Sequence, residues 1–284
     1  MSFSLLFNGT PRDAGTAFAV GAVLRLALLA LSPMALSSFI SSMAGGAVVS
    51  LTTGLALALG LIGSSGNVSI AVLMSLVPGV AIVNAIRDII AGDLVAGSAR
   101  VLEAFVVAAG LSIGAAFGLF AFPAETAYAS AILARGEPIG AFMLAFTATA
   151  SFAYFFHINR YDIFWASLFG ASGWIVYLWS ASGVSNPTLA FFYGALLVGL
   201  CSELAAIAFR KPATVYIVPS IIPFVPGGGM YETMLFAVRG NLAAASSTAL
   251  STLSAACAIA VGIALASSFS RLLARFIRRA SLPF

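Results

Sequence analysis

The sequence predicts an all-α, polytopic membrane protein of about nine transmembrane helices set out as two inverted repeats, and three observations predict it. Hydrophobic residues fill 61% of the 284 positions and charged residues 8%, where soluble domains carry about 25% charged residues. Apolar runs of helix length follow one another, each near the twenty or so residues a bilayer requires, in place of the alternating ten-residue stretches of a membrane barrel. The downstream part of the chain also repeats the upstream part. With Val77 laid on Val225, an offset of 148, 11 of the 40 positions from Val77 to Ala116 are identical, against roughly four expected from the shared Ala/Gly/Leu/Ser-rich composition.

In chain order, residues 1–13 form a short lead ending in Pro11-Arg12-Asp13, with no pattern of a cleaved signal peptide. The first repeat, 14–120, holds spans at 14–32, 38–60, 66–86 and 94–120. A loop over 121–137, carrying Pro123, Glu125, Arg135 and Glu137, divides the repeats. The second repeat, 138–270, holds spans at 139–157, 163–181, 188–208, 213–238 and 242–269. A basic tail, 271–284, closes the chain with Arg271, Arg275, Arg278 and Arg279.

The span 139–157 has no partner upstream of Arg12, so the layout is a five-plus-five type lacking its first helix. A loose alignment of Arg160-Tyr161-Asp162 with Arg12-Asp13 marks the place. Arg87, Arg160, Arg210, Lys211 and the tail fall on one side of the membrane, and Arg12, Arg135 and Arg239 on the other. The positive-inside rule then makes the C-terminus cytoplasmic and the repeats inverted. Tyr154, Phe155, Phe156, Tyr161 and Trp165 suit one interface, and Trp174, Tyr177 and Trp179 the other. Gly110, Gly114 and Gly118 form a smooth face for a neighbouring helix.

Two spans are interrupted in mid-course. One carries Val77-Pro78-Gly79; the other runs Pro219-Ser220-Ile221-Ile222-Pro223-Phe224-Val225-Pro226-Gly227-Gly228-Gly229. Proline lacks the N–H and clashes with the preceding turn, and a glycine triplet favours non-helical dihedrals. Backbone groups freed at membrane depth must find partners in protein or line a wet cavity. Paired interrupted segments in matching halves are the sequence pointer to the binding site of a secondary transporter. Pro78, Gly79, Pro226, Gly227, Gly228 and Gly229 are therefore candidate substrate-binding positions.

Charges within spans are costly, so each is a functional candidate. Glu232 and its neighbour Tyr231 stand about one turn into the half-helix that follows the glycines, where free N–H groups and the dipole favour a carboxylate. Glu232 either meets substrate, carries a coupling proton or caps its own helix. Its match in the first half is Asn84, and that of Tyr231 is Val83, so the two broken segments differ chemically. Arg87, Asp88, Arg100, Glu103 and Glu203 are candidates for coupling or gating. For Arg87 and Asp88 an interfacial pairing role stands beside that one, and Asp93 suits the N-cap of 94–120. Arg100 and Glu103, three apart on a helix, can pair. Arg25 either faces a polar cavity or snorkels.

Other classes find little support. The residues after the glycine triplet, Met230 and Tyr231, are not those of a phosphate-binding loop, so energy is expected from an ion gradient. His157 is the only histidine and sits at a membrane edge, leaving no catalytic triad and no metal set. Cys201 and Cys257 read as small apolar residues. No enzyme activity, cofactor, metal or nucleic-acid partner is expected; the net charge of +4 reads as topology.

The run from Val77-Pro78-Gly79 to Glu103-Ala104 resembles the membrane part of the first half of the threonine/serine exporter (ThrE) family. Pro219 to Met234, Ala145-Phe146-Thr147-Ala148-Thr149 and Gly170-Ala171-Ser172-Gly173-Trp174 resemble its second half. The resemblance implies a five-plus-five exporter in the bacterial inner membrane, moving small hydroxy amino acids outward by antiport with protons. A two-protein version of the family implies dicarboxylate (succinate-like) efflux as the alternative, for which Arg87, Arg100 or Arg239 would be apt partners. From another class, a membrane enzyme or a non-transporting scaffold would leave the paired breaks without a use. Family members usually carry a soluble N-terminal domain and a first span, and this chain begins after both. A homo-oligomer, or a partner chain supplying that domain, is expected alongside the small-molecule substrate and membrane lipid.

Overall fold

The computed structural model describes residues 1–7, 9–63, 65–122, 138–183 and 186–280, the side chains of 119 and 273–280 excepted. The loop expected at 121–137 falls from residue 123 onward outside the described residues, as do the side chains of Arg275, Arg278 and Arg279. Every regular element among the described residues is helical. They are α1 (Ser2–Leu6), α2 (Pro11–Leu31), α3 (Ser38–Ala58), α4 (Ser65–Leu73), α5 (Gly79–Ile90), α6 (Leu94–Ala121), α7 (Pro138–Phe155), α8 (Arg160–Gly183), α9 (Pro187–Phe209), α10 (Thr214–Ser220), α11 (Gly227–Val238) and α12 (Leu242–Ala280). Short 3-10 turns stand at Ser32–Met34 and Ile222–Phe224.

Seven of these helices are long and apolar enough to cross a membrane, and the bent pair of α10 with its turn and α11 brings the number to eight. The protein is thus a polytopic all-α membrane protein. The expected span 66–86 is instead two helices of nine and twelve residues, about 13 and 18 Å long at 1.5 Å per residue. Helix α2 begins three residues earlier than expected because Thr10 and Asp13 form a capping box around Pro11. Helix α12 runs on through the basic segment to Ala280, where Leu, Ala and Arg are all good helix formers.

Two stretches of backbone have the same local form. Helices α5 and α11 each have twelve residues and begin 148 positions apart. Each ends in a left-handed glycine, Gly92 at φ +97° and Gly240 at φ +77°. Each closes with the same two bonds: the Gly92 N–H donates to the Ile89 carbonyl at 3.0 Å and Asp93 N–H to Asp88 at 2.9 Å, while Gly240 donates to Ala237 at 3.0 Å and Asn241 to Phe236 at 2.9 Å. Glycine enters that conformation without steric cost. Asp93 and Asn241 then stand at the N-cap positions of α6 and α12, where Asn241 Oδ1 accepts from the Ala244 N–H at 3.1 Å.

The chain forms two compact units. The first holds α1 to α4, α5 as far as Ala85, α6, and the stretch Pro226–Leu253 that contains α11 and the start of α12. Its core joins Ala17, Val20 and Leu24 of α2, Val49 and Ala56 of α3, Val68, Val72 and Leu73 of α4, Leu111 and Ala115 of α6, and Tyr231 and Leu235 of α11. Here the expected glycine face is used. Gly114 lies against the Met43 carbonyl and Gly118 against Ser50, while a methyl group at Gly110 would come within 2.6 Å of the Phe39 carbonyl, so α3 and α6 touch backbone to backbone.

The second unit holds Ile86–Asp93, α7 to α10 with the following turn, and α12 from Ser254. Gly262 plays the part of Gly114 here: a methyl group on it would lie 2.9 Å from the Phe192 carbonyl of α9. Close glycine contacts thus set the approach of α3 to α6 in one unit and of α9 to α12 in the other.

Candidate functional site

Both interruptions expected from proline are present, and each has its own geometry. In the first, α4 ends at Leu73 and the chain turns through Met74–Pro78; the Leu76 and Val77 N–H groups both donate to the Leu73 carbonyl at 2.8 Å. Pro78 then precedes α5, its carbonyl accepting from the Ile82 N–H at 3.1 Å. In the second, α10 gives way to the turn Ile222–Phe224, Val225 is extended at φ −65°, ψ 130°, and Pro226 stands at the N-cap of α11. Pro226 is buried and Pro78 half-buried, so neither is displayed on the outside of a continuous helix.

The glycine triplet does not serve as a non-helical linker, which corrects the expectation from its dihedral freedom. Gly227, Gly228 and Gly229 form the first turn of α11. Their use is space. A methyl group on Gly227 would lie 3.0 Å from Val77 Cγ1 and 3.6 Å from Met74 Sδ, and one on Gly228 would lie 3.8 Å from Ile70 Cγ2. Gly229 faces the Thr252 hydroxyl of α12 so closely that no side chain fits without a shift. The start of α11 is thereby seated on the first interruption, within a single unit.

The substrate-binding candidates share one unit. Pro78, Gly79, Asn84 and Pro226 through Glu232 all belong to the first unit. Val83 and Tyr231, fifth in α5 and α11, are buried, whereas Asn84 and Glu232, sixth in each, are half-buried. Helix α11 has no side-chain cap and no acidic residue in its first turn, so Glu232 is not the cap of its own helix. The backbone around it is pinned from outside and inside: Ser112 of α6 donates to the Tyr231 carbonyl at 3.1 Å, and Thr233 donates to the Gly229 carbonyl at 2.7 Å.

The coupling and gating candidates are more dispersed. Arg87 and Asp88 are half-buried at the end of α5, in the stretch that belongs to the second unit. Arg100 and Glu103 lie on the exposed side of α6. Glu203, half-buried on α9, accepts a hydrogen bond from Ser267 of α12 at 2.5 Å. Arg25 is exposed on α2.

Sequence reasoning passed over Ser112 and Thr252, whose small hydroxyls are indistinguishable from dozens of others until their partners across the fold are known. It also passed over Asp162. This carboxylate, third in α8 and 4% exposed, accepts from Lys211 Nζ at 2.6 Å and from the Tyr216 hydroxyl at 2.7 Å. Its alignment with Asp13 was the available signal.

An α-helical, multi-pass membrane protein with interrupted apolar segments has the make-up of the secondary-transporter class. Comparison with family models narrows this. Residues 1–121 match a model described as "Putative threonine/serine exporter", and residues 141–269 match one described as "Threonine/Serine exporter, ThrE". The chain belongs to the threonine/serine exporter family, a family of exporter-type transporters. No curated protein and no solved structure matches it.

Proposed function

We propose that the protein is a secondary-active exporter of small hydroxy amino acids, threonine and serine, driven by antiport with protons across a bacterial inner membrane. Its two halves are inverted copies, its C-terminus is cytoplasmic, and the solute is held where the two interruptions meet. The observation that carries this reading is the seating of Gly227 on Val77, which brings both helix breaks to one place.

The chemistry of that place fits an amino acid with a hydroxyl. The uncapped first turn of α11 offers backbone N–H groups and a positive dipole end to a carboxylate. Asn84 supplies both a donor and an acceptor for a hydroxyl or an ammonium. Glu232 is an ionisable group at membrane depth, where it is expensive unless it pairs with a cation or takes up a proton. It would alternate between these two partners, substrate ammonium and coupling proton, as the cycle proceeds.

Threonine efflux from cells loaded with a threonine dipeptide tests this. Cells making the protein clear internal threonine faster than controls, and Glu232→Gln lowers that rate at least tenfold at equal expression. Efflux that persists unchanged in Glu232→Gln, or no movement of threonine or serine under any imposed proton gradient, overturns the reading.

A further inference from the structure

The second unit contains a polar cluster that the solute site does not use. Asp162, at the third position of α8, is buried, yet it takes no part in capping its own helix. Asn159 does that, its Oδ1 accepting from the Tyr161 N–H at 3.3 Å. Both Asp162 oxygens are turned instead toward α10: Oδ2 takes Lys211 Nζ at 2.6 Å and Oδ1 takes the Tyr216 hydroxyl at 2.7 Å. One turn further along, Ser220 donates to the Ala166 carbonyl at 2.7 Å. The Tyr216 ring, wholly buried, is wedged among Phe169, Phe209, Ala166 and Ala205. Helix α10, the arm that leads into the second interruption, is therefore fastened to α8 rung by rung.

The first half shows what the same position does without a charge. Asp13, also third in its helix and buried, spends one oxygen on Thr10, taking its N–H at 2.8 Å and its hydroxyl at 2.9 Å. The other oxygen takes only a backbone group, the Gly63 N–H at 3.4 Å, just ahead of α4. The difference extends to the chain reversal before each arm. There the first half has Gly60 at φ +69° and the second has Arg210 at φ +54°, a left-handed conformation that residues with a Cβ adopt at a cost. Arg210 is the C-cap of α9, and Lys211 follows it directly.

We propose that Asp162, Lys211 and Tyr216 are positioning residues that form a releasable latch, holding α10 against α8 and letting it go once per transport cycle. The proposal rests on the transporter reading above. One feature makes the latch releasable: the Lys211 side chain is 38% exposed against 6% for Asp162, so the pair is broken at its wet end, where ion pairs are weak.

A test that does not depend on solute movement separates the two ideas. In the full chain carrying Cys201→Ala and Cys257→Ala, a cysteine is introduced by Ile221→Cys, at a buried position one residue beyond α10. Its rate of reaction with N-ethylmaleimide reports how often the arm leaves α8. Lys211→Met and Asp162→Asn are expected to raise that rate about tenfold, and Lys211→Arg to leave it at the parent value. In efflux, Lys211→Met changes the maximal rate and leaves the KM for threonine unchanged. Equal labelling in Lys211→Met and the parent overturns the latch while leaving the exporter intact. An equal rise in Lys211→Arg and Lys211→Met overturns it too, since any disturbance of the surface would then suffice. Faster labelling in a protein that moves no threonine supports the latch and removes the exporter.

Discussion

Gly227, the first residue of α11, rests on Val77, the residue before Pro78, with room for a methyl group only at 3.0 Å from Val77 Cγ1. At the offset of 148 Val77 matches Val225, two residues before Gly227, and each of the two touching residues lies beside the proline that interrupts its own segment. Space at this contact is what the glycines supply, and their replacement tests it.

Gly229→Ala brings a methyl group into the Thr252 hydroxyl. Overpacking of this kind costs about 1–3 kcal/mol, partly offset by the roughly 1 kcal/mol that alanine gains over glycine inside a helix. Gly227→Ala meets side-chain atoms at ordinary to tight contact, Val77 Cγ1 at 3.0 Å and Met74 Sδ at 3.6 Å, and is expected to cost less. Thermal unfolding in detergent should rank them in that order. Adding Thr252→Ala to Gly229→Ala should restore most of the loss.

Gly114→Ala places its methyl group on the Met43 carbonyl, a backbone atom that cannot swing aside, whereas at Gly262 the Phe192 carbonyl is 2.9 Å away. Both substitutions destabilise, Gly114→Ala the more, by about 1–3 kcal/mol. Melting of the two single variants side by side checks the ranking.

Ser112→Ala removes the donor to the Tyr231 carbonyl at 3.1 Å without adding bulk. The expected loss of stability is about 1 kcal/mol, the usual net value of one buried hydrogen bond. Because that bond fixes the backbone next to Glu232, threonine efflux should fall by more than the change in folded protein explains.

Inversion of the halves is tested at Ala91 and Arg239, which are exposed and occupy matching positions 148 apart. Cysteines introduced there in the chain lacking Cys201 and Cys257 should react with an impermeant thiol reagent from opposite sides of the membrane. The adjacent Gly92 and Gly240 are poor choices for the same probe, because their positive φ angles penalise any side chain. Labelling of both from one side removes the inverted arrangement.

What was legible in the chain was what local chemistry announces. Pro78 and Pro226 break helices wherever they sit, and the glycines at 110, 114 and 118 mark a close helix contact at helical spacing. The cap position of Asp93 follows from its residue type at the start of an apolar run. What was not legible depended on partners far away in sequence. Tyr231 and Ser112 are 119 residues apart, and Asp162 and Lys211 are 49 apart, so no window of the chain contains either pair. The triplet at 227–229 was misread for the same reason: glycine signals both backbone freedom and close approach, and only Val77 and Thr252 decide between them. Exposure of Arg100 and Glu103 was equally out of reach, since it depends on which face of α6 the other helices leave uncovered.

The composite make-up of the first unit carries a consequence for the chain's ancestry and for anyone who would divide it. Pro226–Leu253 completes a body otherwise assembled from residues before 123, and Ile86–Asp93 is lent in return. Two genes encoding the separated halves would yield polypeptides that are each missing a wall, stable only once they have found one another. A fused gene, by contrast, guarantees the exchange at one-to-one stoichiometry.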